Sequence, residues 1–265
     1  MADQTEAITL SNYETLLPPF DPNGSGLFGL VDMGSYASLL LLVYSHLPNI
    51  QHITDLKRNG IRFTISDLSP PRSRLLPAIY RERAGISLYD ALHSGKPDDV
   101  EFQFSQSTIK LVSQTLARFA RICQQYRVPP AQISVFATEA MRTAHNQAEM
   151  LNSIKNATGL NVQILSPAME SMFGAMGARS AFGDVKGLFM DLGGGSVQMT
   201  YLNSKKEGYE VEAAVAAKSI PAGAAKLTAT LQTTSAEDVH ADLKTIMAET
   251  FRGMCEKFPD RKSVV

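Results

Sequence analysis

Two short turns, each containing an aspartate and glycine and each directly following an apolar run, constrain the fold of this 265-residue chain most strongly. The first is Asp-Met-Gly-Ser at 32–35, and the second is Asp-Leu-Gly-Gly-Gly-Ser at 191–196. Glycine leaves backbone N–H groups uncovered, and serine adds a hydroxyl donor, so such a turn can hold a phosphate-sized anion. A single Gly-Gly-Gly turn is also compatible with a simple hairpin, but two similar turns favour anion binding.

Apolar periodicity alternates along the chain between the repeats of strands and of helices. The clearest helix lies at 105–126, where Ile109, Val112 and Leu116 begin one apolar face. The pattern predicts strands at 27–31, 61–67, 133–137, 162–165, 188–191, 197–202 and 211–220, and further helices at 138–158, 170–182 and 236–257. This alternation is typical of an α/β fold.

Breaker residues and the last helix predict the domain organisation. Residues 1–26 end in Pro-Pro, Asp-Pro and Asn-Gly-Ser-Gly, which indicates a flexible leader with order beginning at Leu27. No strand follows the helix at 236–257 to complete a sheet. We therefore expect a second domain that is cut short.

Composition and targeting signals exclude several classes of protein. The formal net charge is −1, whereas a nucleic-acid-binding surface requires many basic residues. The longest apolar run, 37–44, is far shorter than the roughly 20 residues of a membrane-spanning helix. The N-terminus lacks the features of a secretory signal, and Cys123 and Cys255 are far apart. We therefore expect a cytoplasmic protein with reduced thiols, and neither nucleic acid nor membrane as a partner.

Four segments carry the most specific signal: Val-Asp-Met-Gly-Ser at 31–35, Asn-Gly-Ile-Arg-Phe at 59–63, Ala-Thr-Glu-Ala-Met-Arg at 137–142 and Met-Asp-Leu-Gly-Gly-Gly-Ser at 190–196. In order and spacing they resemble the Ppx/GppA family of exopolyphosphatases and guanosine pentaphosphatases. The segments at 83–89 and 191–198 are similar to its fungal retrograde regulation protein 2 branch.

The resemblance, which extends over about residues 27–232, implies the actin-like ATPase fold shared by sugar kinases, heat-shock-70 chaperones and actin. That fold has two ribonuclease-H-like domains with a phosphate cleft between them. Its application to this chain predicts an N-terminal domain I at 27–180 and a truncated domain II at 181–265.

The resemblance also implies a set of site residues. The two phosphate loops fall on Asp32, Gly34, Ser35 and Asn59, and on Asp191, Gly193, Gly194 and Ser196. Arg142 is implied to bind phosphate, for which a guanidinium group is suited, and Glu170 is implied to orient the attacking water. Two alternatives remain open, with Arg142 as an exposed helix residue and Glu170 as a solvated residue in the first turn of a helix.

Metal and partners follow from the same residues. An aspartate at the end of a strand can hold Mg²⁺ against a bound phosphate, so Asp32 and Asp191 are the candidate metal ligands of an active enzyme. The resemblance implies polyphosphate or a guanosine polyphosphate as the ligand. Signalling proteins and a second copy of the chain are further candidate partners.

The first loop departs from the family pattern because the 23 residues from Tyr36 to Arg58 separate Ser35 from Asn59. Removal of this segment restores an uninterrupted hairpin with a short loop. Two origins are open. The segment is either a translated, retained intron, since its boundary codons can supply splice-like sequences, or a true insertion that forms an amphipathic lid around 39–47.

Two further departures concern catalysis. Many family members carry acidic residues where Ala168 and Met169 precede Glu170, and bacterial enzymes carry Glu where Gln198 stands. Three functions therefore remain open. They are a Mg²⁺-dependent phosphohydrolase acting on polyphosphate or a guanosine polyphosphate, a non-catalytic regulator or scaffold acting in mitochondria-to-nucleus signalling, and an inactive fragment of the family.

Overall fold

The computed structural model describes residues 7–16, 26–34, 38–42, 60–69, 76–93, 102–180, 182 and 184–257. Its strands are β1 (Leu27–Asp32), β2 (Ser38–Leu42), β3 (Ile61–Asp67), β4 (Ala78–Ala84), β5 (Ile133–Ala137), β6 (Val162–Ile164), β7 (Lys186–Leu192), β8 (Val197–Asn203) and β9 (Lys218–Ile220). Its helices are α1 (Tyr13–Leu16), α2 (Leu88–His93), α3 (Gln106–Gln125), α4 (Glu139–Thr143), α5 (Gln147–Thr158), α6 (Pro167–Arg179), α7 (Tyr209–Ala216), α8 (Ala224–Thr230) and α9 (Ala236–Lys257).

The chain divides into two compact units. The first combines Met1–Ser35 with Arg58–Ser166, and the second combines Tyr36–Lys57 with Pro167–Val265. Each contains a sheet with helices, so the α/β class predicted from the alternating pattern is confirmed. The division falls after Ser166 rather than after residue 180, and α6 with its Glu170 therefore belongs to the second unit. Within the described ranges, none of the helices is long and apolar enough to cross a bilayer.

The first unit is built on a mixed sheet with the order β4-β3-β1-β5-β6. β1 pairs antiparallel with β3 and parallel with β5. One row across the sheet, formed by Val31, Phe63, Val135 and Val162, is buried. Because side chains alternate between the two faces of a strand, the next residue of β1, Asp32, lies on the opposite face, at the strand end where the first loop begins.

The amphipathic helix predicted at 105–126 is confirmed as α3. Ser105 caps its N-terminus by accepting a hydrogen bond from the Thr108 amide at 3.2 Å. The apolar face of α3 covers the buried row of the sheet, and the rings of Phe119 and Phe63 stack with centroids 4.6 Å apart. Cys123 is fully buried on the same face, and burial raises the pKa of its thiol to about 11.

The start of β3 requires glycine. Gly60 has φ +146°, and a Cβ atom at this position would lie 1.9 Å from the Ala84 carbonyl oxygen on the neighbouring strand. We expect Gly60→Ala to lower the free energy of unfolding by about 3 kcal/mol in urea denaturation, because both the backbone and the strand pairing must shift. Gly85→Ala is the matched control, since nothing lies within 4 Å of its Cβ position. An equal loss in the two variants would contradict this explanation.

The second unit contains an antiparallel sheet with the order β2-β7-β8-β9. β7 and β8 form the strand-turn-strand unit that was predicted around the Gly-Gly-Gly turn, with Leu192 opposite Val197. Ala175 and Ala178 of α6 share a buried cluster with Val185 and Phe189. The C-terminal half of α6 therefore lies over the first half of β7, and its N-terminal half lies toward the end of β7 where the second loop begins.

The predicted leader is wrong for residues 7–16, which are ordered. Ile8 is buried and forms a parallel bridge with Leu165. Its amide donates to the Ile164 carbonyl at 2.7 Å, and its own carbonyl accepts from the Ser166 amide at 2.9 Å. Ile8, an apolar residue in the polar N-terminal segment, thus pairs with the residue that directly follows β6.

Two predicted elements have different structures. The predicted strand at 211–220 is helix α7 followed by the short strand β9, because this alanine-rich run, with Glu210 and Glu212 in its first turn, favours a helix. The single helix predicted at 138–158 is broken between α4 and α5. There the side chain of Asn146 binds the backbone of Phe104, accepting from its amide at 2.8 Å and donating to its carbonyl at 2.9 Å.

Part of the segment at 36–58 is described. Residues Ser38–Leu42 form β2, which pairs antiparallel with β7 at the edge of the second sheet. These five residues are a strand where the insertion alternative predicted a lid. The retained-intron hypothesis concerns the transcript and stays a prediction, and the rest of the segment lies outside the described residues.

Candidate functional site

The second loop, residues 193–196, is held in place through its carbonyl groups. Inside the loop, the Gly193 amide donates to the Ser196 carbonyl at 2.8 Å. The other loop carbonyls accept hydrogen bonds from the N-cap and first-turn amides of α8. The Gly193 carbonyl accepts from the Ala224 amide at 2.8 Å, and the Gly195 carbonyl accepts from the Gly223 amide at 3.0 Å. The Gly194 carbonyl accepts from two amides, those of Ala225 at 2.9 Å and Lys226 at 3.2 Å. The first amides of a helix have no partner within the helix, so α8 uses them to support the loop.

The amides of the second loop, unlike its carbonyl groups, are mostly without hydrogen-bond partners among the described residues. The N–H groups of Gly194, Gly195 and Ser196 have no hydrogen-bond acceptor in the part of the chain that the structure describes, although all three residues are buried. Buried backbone donors are almost always paired, and consecutive donors in a turn form a concave anion site. We call these three N–H groups the amide nest. Its chemistry matches a phosphate or another oxyanion.

Gly223 makes the close approach of α8 possible. A Cβ atom there would lie 2.4 Å from the carbonyl carbon and oxygen of Gly194 and from the amide nitrogen of Ser196. Only glycine avoids this collision. Gly223 was not predicted as a site residue, and the one local signal for it is its position directly before a helical run.

The base of the loop carries a polar row across the sheet. Asp191 of β7, Gln198 of β8 and Ser219 of β9 are successive cross-strand partners and therefore lie on one face. The buried Gln198 amide nitrogen donates to the hydroxyl oxygens of Ser196 and Ser219, at 3.0 Å each. The sequence analysis identified Gln198 only as a departure from the family pattern, and it missed Ser219.

Glu170 lies in the first turn of α6. Gly174, one turn later on the same helix face, is so close to β7 that its Cβ position lies 3.5 Å from Asp191 Oδ2 and 3.1 Å from the Phe189 ring. Glu170 is half-buried and lies toward the loop end of this sheet. The second unit thus brings together Glu170, Asp191 and the amide nest on elements that pack against each other.

The first loop is described up to Gly34. The Gly34 amide donates to Asp32 Oδ1 at 2.8 Å, and a Cβ atom at Gly34 would lie 2.9 Å from the same oxygen. Burial raises the pKa of the Asp32 carboxyl group above its ordinary value of 3.8, and the Gly34 hydrogen bond and the positive charge of Arg62 offset part of this effect. Ser35 and Asn59, the other predicted members of the loop, lie outside the described residues.

The raised pKa of Asp32 predicts a stability cost at neutral pH. The folded protein retains the proton to a higher pH than the unfolded chain does, so its free energy of unfolding falls as the pH rises above about 4. We expect Asp32→Asn, which can still accept from Gly34, to raise Tm by about 3 °C at pH 7. The difference should shrink toward pH 4 in a series of thermal melts. A lower Tm for the variant at pH 7 would contradict this assignment.

Arg142 lies in α4 and is half-buried, where the alternative interpretation predicted an exposed residue. Its guanidinium group donates to the carbonyl oxygen of Leu165 within the first unit. A guanidinium group has five N–H donors and can bind more than one acceptor. The role of Arg142 in phosphate binding stays a prediction.

The donor set restricts how Mg²⁺ could bind. Within the described ranges, no group of three or more His, Cys, Asp or Glu residues could hold a metal ion. Asp191 and Asp32 are single carboxylates at strand ends, and Gln198, beside Asp191, is neutral. Mg²⁺ commonly binds through one or two carboxylates together with substrate phosphates and water. Taken separately, each carboxylate would therefore fit an ion whose other ligands are phosphate oxygens and water, rather than a protein-only metal cage.

Comparison with known proteins identifies similar sequences. The family model for the Ppx/GppA phosphatase family matches residues 69–261. Retrograde regulation protein 2 of Saccharomyces cerevisiae is 32% identical over 209 residues, which cover 79% of this chain and 34% of that protein. Exopolyphosphatase 1 of Mycobacterium leprae is 36% identical over 121 residues, 45% of this chain and 33% of that protein. The chain thus spans about a third of the length of these relatives.

Solved structures show the same fold. The Aquifex aeolicus PPX-GPPA enzyme matches with a TM-score of 0.59 at 18% identity, over 85% of this chain and 64% of that one. An exopolyphosphatase from Cytophaga hutchinsonii matches with a TM-score of 0.55 at 17% identity, over 90% and 62%. The likeness confirms the predicted actin-like ATPase fold of these enzymes.

Proposed function

Because the chain belongs to the Ppx/GppA phosphatase family, we propose that it binds the terminal phosphate of polyphosphate or of a guanosine polyphosphate at the second loop and hydrolyses the adjoining phosphoanhydride bond. The amide nest is the observation that supports this proposal most directly. Three buried N–H donors without an acceptor among the described residues match the oxygens of a phosphoryl group. The curated relative named exopolyphosphatase makes polyphosphate the first substrate to test.

The proposed chemistry assigns a role to each group of the second unit. The amide nest and the Ser196 hydroxyl donate to the non-bridging oxygens, whose negative charge must be stabilised during phosphoryl transfer. Glu170 accepts a proton from the water that attacks the terminal phosphorus, and the phosphate chain shortened by one unit is the leaving group. For the first unit we separately propose that Arg142 and the loop at Asp32 and Gly34 bind phosphate oxygens.

A bound Mg²⁺ ion would neutralise part of the phosphate charge. Asp191 in the second unit and Asp32 in the first are separately proposed as Mg²⁺ ligands, each with phosphate oxygens and water as the remaining ligands. Their short side chains at strand ends give each carboxylate a defined place on its sheet. This proposed role of Mg²⁺ is distinct from the amide nest, which needs no metal to present its N–H groups.

This chain covers about a third of the length of these relatives. That it has the activity of a full-length relative is therefore part of the proposal. A non-catalytic regulator or inactive fragment is the alternative left by the sequence, and the family comparisons do not favour it. The relative named for retrograde regulation makes signalling proteins a proposed class of partner. We also propose a cytoplasmic location.

The test is release of inorganic phosphate by the 265-residue chain in the presence of Mg²⁺. Polyphosphate with free ends and guanosine pentaphosphate are the two substrates. The control is polyphosphate with esterified ends, which has no free terminal phosphate. We expect release from a substrate with free ends and none from the blocked chains. Phosphate binding without turnover of either substrate would overturn the enzymatic proposal and leave the regulatory alternative.

A further inference from the structure

We infer that Gln198 is a positioning residue, whose carboxamide fixes the Ser196 hydroxyl as a fourth donor beside the amide nest without adding a negative charge to this phosphate site. The inference rests on the proposed phosphate-binding function of the second loop and identifies what controls its affinity. The departure of Gln198 from the family pattern would thus have a function, which is to orient the Ser196 hydroxyl.

Both hydrogens of the Gln198 carboxamide are used. The amide nitrogen donates to Ser196 Oγ and to Ser219 Oγ, at 3.0 Å each. Gln198 is 2% exposed and Ser196 is 5% exposed, so water cannot easily replace the contact between them. The cross-strand pairing of Gln198 with Ser219 holds the carboxamide between the two hydroxyl groups.

Hydrogen-bond counting gives the direction of the Ser196 hydroxyl. A serine oxygen has one hydrogen and can accept through two lone pairs. Because the Gln198 amide donates to this oxygen, the hydroxyl hydrogen must point to another acceptor. In the described part of the chain, the Ser196 hydroxyl has no such acceptor. It is therefore available to an anion held by the adjacent amides of Gly194 and Gly195.

The carbonyl oxygen of Gln198 is a second, independent observation. This oxygen is buried and has no hydrogen-bond donor among the described residues. A buried acceptor without a partner is unfavourable, and a residue chosen only for packing would avoid it. Its retention is expected where the other end of the carboxamide has a function, here the orientation of Ser196.

A glutamate at this position would reverse the hydrogen bonds. A carboxylate only accepts, so it would take the hydroxyl hydrogens of Ser196 and Ser219. It would also place a negative charge beside the amide nest, in a buried site where charge is weakly screened. Phosphate would lose one donor and meet electrostatic repulsion.

Gln198→Glu tests this inference, with inorganic phosphate as the probe in titration calorimetry without Mg²⁺, because a carboxylate beside Asp191 would add a ligand for the metal. We expect the variant to bind phosphate at least tenfold more weakly than the wild type at pH 8, roughly the loss of one hydrogen bond to a charged group. At pH 5.5 protonation of the buried glutamic acid should bring the ratio of the two Kd values below about three. Gln232→Glu, which adds the same charge at an exposed position, should leave the Kd unchanged within about twofold.

The outcomes separate this inference from the proposed function. A ratio that stays high at both pH values indicates structural damage to the site and overturns the inference, as does a Kd ratio within twofold at pH 8. The second result would show that the carbonyl end of Gln198, rather than the amide end, faces the two serines. Absence of phosphate binding by the wild type would instead overturn the proposed binding loop itself. Thermal melts of both variants show whether the fold is retained.

Discussion

Replacement of Glu170 by glutamine is expected to lower the rate of phosphate release by a factor of about 100 to 10,000, which is the usual contribution of a general base. Glutamine has nearly the same size but cannot accept the proton of the attacking water. The binding of inorganic phosphate should remain within about twofold, because the amide nest is unchanged. The two quantities are measured as kcat on polyphosphate and as Kd in calorimetry.

The matched control is Glu237→Gln. Glu237 is also a first-turn glutamate, in α9, and is exposed. If Glu170 only stabilises the helix dipole, both substitutions should cost about 0.5 kcal/mol of stability and neither should alter kcat. A kcat that falls only for Glu170→Gln supports the role of a base, and equal kcat values for both variants and the wild type would exclude it.

Gly223→Ala is expected to lower kcat/KM by about 100-fold, because a Cβ atom 2.4 Å from the loop backbone must displace the amide nest. The displaced groups are the Gly194 carbonyl and the Ser196 amide, which flank the proposed phosphate position. A shift of about an ångström at a binding site is sufficient for a loss of this size. The affinity for inorganic phosphate should fall with it, which distinguishes this variant from Glu170→Gln.

Gly177→Ala serves as the control for the loss of glycine. Gly177 lies in α6 with nothing within 4 Å of its Cβ position, so alanine should preserve activity and stabilise the helix by up to about 1 kcal/mol. If Gly223→Ala binds phosphate as tightly as Gly177→Ala does, the loop does not depend on the close approach of α8. The amide nest would then be wrongly identified as the binding element.

The sequence predicts those parts of the fold in which one local pattern dominates. The strand run at 188–191 and the glycines after it predicted the β7-β8 hairpin, and the apolar face of α3 was evident from its spacing. The motif residues Gly193 and Ser196 were therefore found before the geometry was known. Each of these features depends on side-chain type within a few residues along the chain.

The elements that were predicted incorrectly depend on longer-range contacts or on competing preferences. The side chain of Asn146 binds the backbone of Phe104, about forty residues earlier, and this contact breaks a helix that periodicity predicts as continuous. Ile8 pairs with Leu165 across most of the first unit's sequence, so composition alone indicated a leader. The hydrogen bonds of Gln198 could not be predicted from local sequence, because its partner Ser219 is brought next to it only by strand pairing. Gln198 was therefore noticed only as a departure from the family pattern.

The support of the second loop by α8 uses only main-chain atoms. Ala224, Ala225 and Lys226 contribute through their N–H groups and not through their side chains. The hydrogen bonds therefore do not depend on which amino acid occupies these positions, and only proline, which has no N–H, would remove one. Relatives that share the loop can thus differ at Ala224 and Lys226, whereas the burial of Ala225 favours a small side chain there. A search for invariant side chains would pass over the scaffold of the site and find only Gly223 in it.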